Sequence, residues 1–167
     1  KIERSSSDKL QKHGMSGAIY MINIGDAQII QAKFVQNKAD GKGGAIRAVQ
    51  CTSLKHKLLF FQNNICNKVG GAVSLKKIND ALHTKSIFLR NTAREYGGSV
   101  KFDTVHKIKI MNCEYFQNKA INTGGAVFVS GGKTLKIKNT IFLNNQAHEG
   151  GAVFVNKCNI SVNFSDF

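Results

Sequence analysis

The stretch GGAVSLKKINDALHTKSIFLRNTAREY, residues 70–96, is followed at once by another pair of glycines, Gly97 and Gly98. The same frame returns along most of the chain, and we take the second glycine of each pair as the anchor of one repeat. The anchors of repeats 1 to 6 are Gly17, where Ser16 takes the place of the first glycine, and then Gly44, Gly71, Gly98, Gly125 and Gly151. They are separated by 27 residues four times and by 26 residues once. A period of this length is typical of a solenoid, in which each repeat forms one coil of a stack.

The residues after each anchor alternate in polarity. Counting from the anchor, positions +2 and +4 are apolar in all six repeats, as in Val73 and Leu75, whereas position +3 varies freely. This alternation indicates a strand with one buried face. Two further alternations surround positions +12 and +17, which gives three short strands per repeat. The pattern predicts an all-β fold, a single right-handed parallel β-helix of about six coils of 27 residues.

Three recurring residue types have structural explanations. The Gly-Gly pair allows a corner with positive φ where a Cβ atom would collide with the coil above. Asn at +20 tolerates the left-handed conformation of a turn, and its amides can form a hydrogen-bonded ladder between coils. The predicted ladder is Asn37, Asn64, Asn91, Asn118 and Asn145. The aromatic residues at +17, expected to stack inside the coil, are Phe34, Phe61, Phe88, Tyr115 and Phe142.

The two ends of the chain differ from the repeats. Residues 1–16 lack the pattern, and the segment from Ser7 to Gly14 predicts a short capped helix, so we expect residues 1–16 to cap the first coil. Residues 17–167 then form the parallel β-helix. Phe167 lies at +16 of repeat 6 with no obvious cap after it. We therefore expect the chain to continue, to pair with another protein, or to associate end to end with copies of itself.

The tetrapeptides GGA[IV] and FxxN, as in Gly43–Ile46 and Phe61–Asn64, resemble the polymorphic outer-membrane protein repeats of chlamydial surface proteins. The resemblance covers about Gly17 to Val155, and similar repeats occur in other bacterial and protist surface proteins. It implies a right-handed, pectin-lyase-like β-helix in a secreted or surface-displayed protein that acts in adhesion. From it we expect an extracellular or cell-surface location.

The charge of the chain points to anionic partners. The net charge is +14, and Lys supplies twenty of the twenty-four basic residues. Such a balance favours polysaccharide, nucleic acid or anionic lipid, and lysine favours diffuse attraction over bidentate recognition. Outward positions +11 and +13 hold the candidate polyanion-binding stripe: Lys55, Lys57, Lys109, Lys136 and Lys138. The alternative is a solvated face that keeps the protein soluble.

Outward position +3 combines aromatic and basic side chains. These candidate outer-face contact residues are Tyr20, Arg47, Lys101, Phe128 and Phe154. Exposed aromatic rings on a flat sheet can stack on sugar rings or pack against a neighbouring module. The alternative is a solvated face that is partly covered by its neighbours.

The cysteine and histidine side chains are candidates for thiol chemistry or metal binding. All four cysteines occupy positions that are mostly small or apolar in the other repeats, so we expect Cys51, Cys66, Cys113 and Cys158 to be buried free thiols. His56 and His83 share the inward position +12 on adjacent coils. They could form a metal site or a pH-sensitive pair, but no carboxylate accompanies them. We expect a polar stack whose hydrogen bonds are satisfied within the core.

Carboxylates decide whether an enzyme is expected. Asp26 and Asp80 share position +9, and Glu95 and Glu149 share position +24, each pair two coils apart. Two coils correspond to about 10 Å, slightly more than the carboxylate separation of inverting glycosidases. No acidic cluster on adjacent coils suits Ca²⁺. The sequence predicts no catalytic residue, no metal and no cofactor, and a polysaccharide lyase or hydrolase is the least supported alternative.

The leading interpretation is a non-enzymatic, secreted or surface-displayed β-helix module that acts in adhesion or as a structural component of an extracellular assembly. Its partners would be other protein modules or copies of itself, bound through coil ends or outer faces. The alternative is a polyanion- or glycan-binding module that uses the lysine stripe. No apolar run approaches the ~18 residues of a membrane span. Asn159 and Asn163 begin Asn-X-Ser sequons and are candidate glycosylation sites.

Overall fold

The computed structural model describes residues 16–167, so the N-terminal cap expected for residues 1–16 lies, except for Ser16, outside the described residues. Over residues 16–167 the chain has eighteen strands and no helix. The strands pair in parallel with those of the neighbouring repeat, as in the register Ile46, Val73 and Val100. The predicted parallel β-solenoid with a period of about 27 residues is confirmed.

The strands form three sheets that run along the stack. The long sheet contains β1 (Ile19–Ile22), β2 (Asp26–Ile30), β5 (Ile46–Lys57), β8 (Val73–Thr84), β11 (Val100–Met111), β14 (Val127–Ser130), β15 (Thr134–Lys138), β17 (Val153–Asn156) and β18 (Asn159–Asn163). The aromatic sheet contains β3 (Lys33–Val35), β6 (Phe60–Gln62), β9 (Ile87–Leu89), β12 (Glu114–Phe116) and β16 (Ile141–Leu143). The corner sheet contains β4 (Lys38–Ala39), β7 (Ile65–Cys66), β10 (Thr92–Ala93) and β13 (Lys119–Ala120).

The number of coils is smaller than the number of glycine anchors. The sequence predicts about six coils, whereas the described residues form about five turns, with five strands in the aromatic sheet and four in the corner sheet. Repeat 6 contributes β17 and β18 to the long sheet, and after them Asp166 forms an isolated bridge to Ile141. The last anchor therefore opens a partial turn, because strands of the aromatic and corner sheets do not follow it within the described residues.

The two glycines of each pair have different structural roles. Gly70 adopts a φ of 67°, a left-handed conformation that L side chains rarely adopt. Gly71 lies so close to the next coil that an added Cβ atom would be 1.9 Å from the carbonyl oxygen of Gly98. The first glycine therefore turns the chain, and the second allows two coils to approach each other.

The other corners also use left-handed residues, and these are not the asparagines of the ladder. Positive φ values recur at positions +6, +14 and +19, as in Lys77 (55°), Lys85 (49°) and Arg90 (53°). The expectation that Asn at +20 occupies the left-handed turn is therefore wrong by one residue. The residue before it makes the turn, so that the Asn side chain is directed into the stack. The bend at +6 divides each long strand into two segments.

The asparagine ladder satisfies its amides through the neighbouring coils. Oδ1 of Asn91 accepts hydrogen bonds from the backbone N–H of Asn64 (3.0 Å) and from its Nδ2 (2.9 Å). Nδ2 of Asn91 donates to the carbonyl of Phe61 (3.1 Å) and to Oδ1 of Asn118 (3.0 Å). Asn–Asn hydrogen bonds of the same kind run from Asn37 to the last ladder residue. Buried amides are therefore paired by identical residues one coil away.

The aromatic side chains form a continuous stack in the core. Ring centroids of successive coils lie 4.6–5.0 Å apart from Phe34 through Phe88 to Phe142. Phe167 extends this stack, with its ring 4.9 Å from that of Phe142, although it lies at +16 rather than +17. In repeats 2 to 5 the apolar side chains at +2 and +4, such as Val73, are fully buried beside it. Burial of these rings and aliphatic groups provides the main hydrophobic stabilisation.

We predict that Asn91→Ala lowers the free energy of unfolding by about 3 kcal/mol or more, because buried hydrogen-bonding groups on Asn64 and Phe61 lose their partner. Urea denaturation followed by circular dichroism measures the change. The matched control is Asn79→Ala, which truncates an exposed asparagine and should change this free energy by no more than about 0.5 kcal/mol. Equal effects of the two substitutions would contradict a stabilising ladder.

Candidate interaction surfaces

Four lysines lie side by side on the outer face of the long sheet. Lys107 and Lys109 belong to β11, and Lys136 and Lys138 belong to β15, with Lys109 and Lys136 directly paired in the register. All four are exposed. We call these four residues the lysine patch. Because neighbouring parallel strands are about 4.8 Å apart and alternate residues of one strand about 7 Å apart, four ammonium groups are attached within a small area.

The patch differs from the stripe expected from the sequence. Lys55 and Lys57 are also exposed, but in the register Leu82 separates Lys55 from Lys109. Lys57 is followed by Thr84 and then by Met111. The stripe is therefore interrupted at repeat 3. Lys107, at position +9, belongs to the patch although the expected stripe covers only +11 and +13. The signal in the sequence is that +9 alternates with the same inward positions as +11 and +13 and therefore points outward with them.

Few acidic groups lie near the lysine patch. Asp80 is the register neighbour of Lys107 on β8, and Asp26, two coils away from Asp80, accepts a hydrogen bond from the hydroxyl of Ser53. Within residues 16–167, the lysines of the patch form no side-chain ion pair; the pair between Lys76 and Asp103 (3.9 Å) lies on the other segment of the long strands. The positive charge of the patch is therefore largely uncompensated by the described residues.

The aromatic residues at +3 are covered mainly by their own chain. The Phe128 ring is 5.0 Å from that of Tyr96, across the glycine corner, and 5.3 Å from that of Phe154 on the next coil. Nζ of Lys101 lies 5.5 Å from the ring centroids of both Tyr96 and Phe128, a cation–π arrangement. Burial lowers the pKa of Lys101, and nearby Asp103 opposes this effect.

The expectation of exposed aromatic rings on a flat sheet therefore fails for most of the aromatic residues at position +3. Phe128 is only 9% exposed, because the glycine corner brings the side chains at −2 and +3 towards each other. Tyr20 is 48% exposed, although the guanidinium of Arg47 lies 5.1 Å from its ring centroid. Position +3 thus offers little free aromatic surface on which a sugar ring could stack.

The candidate carboxylates do not form a compact site. The register places Ser53 between Asp26 and Asp80, and backbone hydrogen bonds place Asn122 between Glu95 and Glu149. Each pair is thus separated by two strand spacings, about 10 Å. Within residues 16–167, no three His, Cys, Asp or Glu side chains gather in a group that could hold a metal ion.

The two inward histidines are buried without hydrogen-bond partners. The rings of His56 and His83 are 4.7 Å apart and fully buried, and His83 packs against Phe88 and Phe102. None of their four ring nitrogens has a partner among the described residues, so the expected satisfied polar stack is not what the structure contains. Burial lowers the pKa of His56 to about 3. Burial also lowers the pKa of His83 well below its ordinary value, and the adjacent His56 adds to this effect.

The cysteines are free thiols, and one is more accessible than expected. Cys51, Cys66 and Cys113 are buried, whereas Cys158 is only partly buried because it lies on the last described coil. Burial raises the pKa of the Cys113 thiol to about 11. The Sγ of Cys66 donates a hydrogen bond to the carbonyl of Gly41 (3.0 Å). The thiols therefore fill small spaces in the stack.

The two sequons lie beside the lysine patch. Asn159 and Asn163 are exposed on β18, where Asn159 pairs in the register with Thr134 and Asn163 with Lys138. Their glycosylation stays a prediction.

Comparison with known families identifies the repeat. The model of the Chlamydia polymorphic membrane protein repeat matches residues 32–49 and 139–156. The predicted resemblance to this repeat is confirmed. Both matches run from the aromatic sheet through the glycine corner into the long sheet, so they cover the part of the coil that holds the Asn ladder and the Gly-Gly pair. No curated protein and no solved structure matches the chain.

We predict that acid destabilises the protein through the histidine pair. The unfolded histidines have a pKa of about 6.5, so below this pH the unfolded chain binds protons that the folded chain does not. The free energy of unfolding should fall by about 1.4 kcal/mol per pH unit for each histidine as the pH decreases towards the lowered folded pKa values. Urea denaturation between about pH 7.5 and about pH 5 measures this slope.

The control for this experiment is the double variant His56→Ile/His83→Ile, which places at +12 the residue type found in repeats 1, 4 and 5. Its free energy of unfolding should depend much less on pH over the same range. An unchanged slope would show that other groups cause the acid sensitivity.

We predict that a small alkylating reagent labels Cys158 of the native protein well before the three buried cysteines, because only Cys158 is partly accessible. Peptide mass spectrometry of timed samples gives the order of labelling. In urea all four should react at similar rates. Rapid labelling of Cys51, Cys66 or Cys113 under native conditions would contradict their position inside the stack.

Proposed function

We propose that the chain is a non-enzymatic, rigid module of a secreted or surface-displayed protein, acting in adhesion or as a structural part of an extracellular assembly. The observation that carries the proposal is the use of the recurring residues. The glycine pair, the stacked aromatics and the asparagine ladder are engaged in contacts between coils, whereas the outward positions vary from repeat to repeat. This division suits a scaffold that presents a variable surface on an invariant frame.

The repeat supports a surface location. The matching family model is named for a membrane protein of Chlamydia, and it covers 36 residues of this chain, 18 in each of two segments, so the location of the whole protein is part of our proposal. Within residues 16–167, no helix has the length and apolarity that a membrane crossing needs.

A polysaccharide lyase or hydrolase is less well supported. Such an enzyme needs an acid and a base converging on one bond, and the candidate carboxylates are separated by whole coils. The buried histidines are enclosed by aromatic rings, out of reach of a polymer. These features favour binding over catalysis.

Protein partners would contact the coil ends or the outer faces. On the last coil, apolar side chains remain exposed: Ile160, Val162, Phe164 and Phe167 are 42–84% accessible. Side chains of this kind are suited to packing against another module or another copy of the chain.

We predict that antibodies against the folded chain label intact cells of the source organism, because a surface module is accessible without permeabilisation. Fab fragments of these antibodies should also reduce attachment of the cells to their natural surface. Flow cytometry and an attachment assay measure the two effects, with antibodies against a cytosolic enzyme and a second surface protein as controls. Labelling that requires permeabilisation would contradict the proposed location.

A further inference from the structure

We propose that the lysine patch binds a linear sulfated polysaccharide. This assigns a ligand class to one outer face and adds to the proposed function without being required by it. The patch consists of four exposed lysines on two paired strands, Lys107 and Lys109 on β11 and Lys136 and Lys138 on β15. The patch is complementary in charge to a polyanion, because the chain carries a net charge of +14 and these lysines form no ion pair within residues 16–167.

The sheet holds the attachment points of these charges in a fixed array. The inward neighbours of the lysines on both strands, Ile108, Ile110, Leu135 and Ile137, are buried in the core and anchor the backbone. The lysine side chains remain flexible at their ends, so the array can adapt to anions of variable position. A polymer with many equivalent anionic groups can therefore bind in several registers, which suits attraction by point charges rather than bidentate recognition.

The spacing of the array favours sulfated sugars. Neighbouring lysines are attached about 5–7 Å apart, so a matching polymer must carry closely spaced charges. A sulfated polysaccharide carries several anionic groups in each disaccharide. A polymer with one carboxylate per disaccharide has its charges too far apart to contact all four lysines at once.

Nucleic acids fit this face less well. Single strands are usually bound by stacking successive bases on aromatic side chains, and the outward positions +9, +11 and +13 of repeats 1 to 5 carry no aromatic residue. In repeat 6 the exposed Phe164 provides one ring beside the patch rather than a series of rings. The aromatic rings at +3 lie on the other side of the bend, and the exposed one, Tyr20, belongs to repeat 1, three coils from β11. Duplex DNA is read by an element inserted into a groove or by arginine forks, and the sheet face has neither.

An anionic membrane is also a weaker candidate. Stable association of a peripheral protein with a bilayer usually combines basic groups with apolar side chains that insert into the interface. Leu82 and Met111, next to the patch, are partly buried between their neighbours, and exposed Ile30 lies three coils away from β11. Phe164, which follows Asn163 beside Lys138, is exposed, so the patch combines four charges with a single apolar side chain that could insert.

The experiment measures the affinity of a heparin oligosaccharide for the purified chain as a function of salt. The patch variant is Lys107→Gln/Lys109→Gln/Lys136→Gln/Lys138→Gln. Its matched control, Lys33→Gln/Lys38→Gln/Lys68→Gln/Lys119→Gln, removes the same charge from four exposed lysines elsewhere. Circular dichroism melting of each variant establishes that the solenoid is intact. All proteins are produced in a host that does not glycosylate Asn159 or Asn163.

We expect the patch variant to bind heparin at least about tenfold more weakly, with the slope of log affinity against log salt reduced by up to about four. The control should lose no more than about threefold and retain most of the slope. Equal losses in the two variants would overturn the proposal, because binding would then follow net charge alone. Failure of the unmodified chain to bind heparin would also overturn it.

Three competing probes test the ligand class. Hyaluronan, a polythymidine oligonucleotide, and phosphatidylcholine vesicles containing phosphatidylserine should each compete with heparin poorly. If one of them binds the patch more tightly than heparin does, the sulfated polysaccharide is the wrong ligand. Because this assay uses the folded chain in solution, its failure leaves the proposed surface location, tested on intact cells, unaffected.

Discussion

Parallel hydrogen bonding between successive coils is the constraint on which the rest of the structure depends. Once a residue is paired with the residue one repeat later, its side chain has a fixed neighbour about 4.8 Å away in the next coil. Inward positions can then hold only groups that tolerate a copy of themselves at that distance. Flat aromatic rings, small residues and amides that pair with amides meet this requirement, and they are the residues that recur.

Features that depend on one position taken over all repeats, which we call a column, could be predicted from the sequence. The period, the inward apolar positions, the aromatic stack and the asparagine column are each present in at least five copies, so an error in one repeat does not hide the pattern. The left-handed bends were less visible because their residue types vary: Leu58 and Lys85 share a backbone conformation that neither favours. Sequence alone also overestimated the coil number, since an anchor marks the start of a turn and not its completion.

The surfaces were harder to predict than the core. Parity along a strand correctly separates inward from outward side chains, but it does not reveal whether an outward side chain meets water. Phe128 and Lys109 both point away from the core on neighbouring strands, yet the glycine corner covers the first and leaves the second exposed. Likewise, a column of mixed Ile and His indicates burial at +12, but the missing partners of the ring nitrogens are apparent only when every neighbour is placed.

The uniform coil also makes length a stepwise property of this protein. Adding or deleting 27 residues inserts or removes one complete layer and leaves every remaining column in register. Each layer changes the height of the stack by about 4.8 Å while its cross-section stays the same. Gene segments encoding whole repeats can thus be duplicated or lost without a new core having to evolve. The length of such a protein along the solenoid axis would therefore be set by its number of repeats.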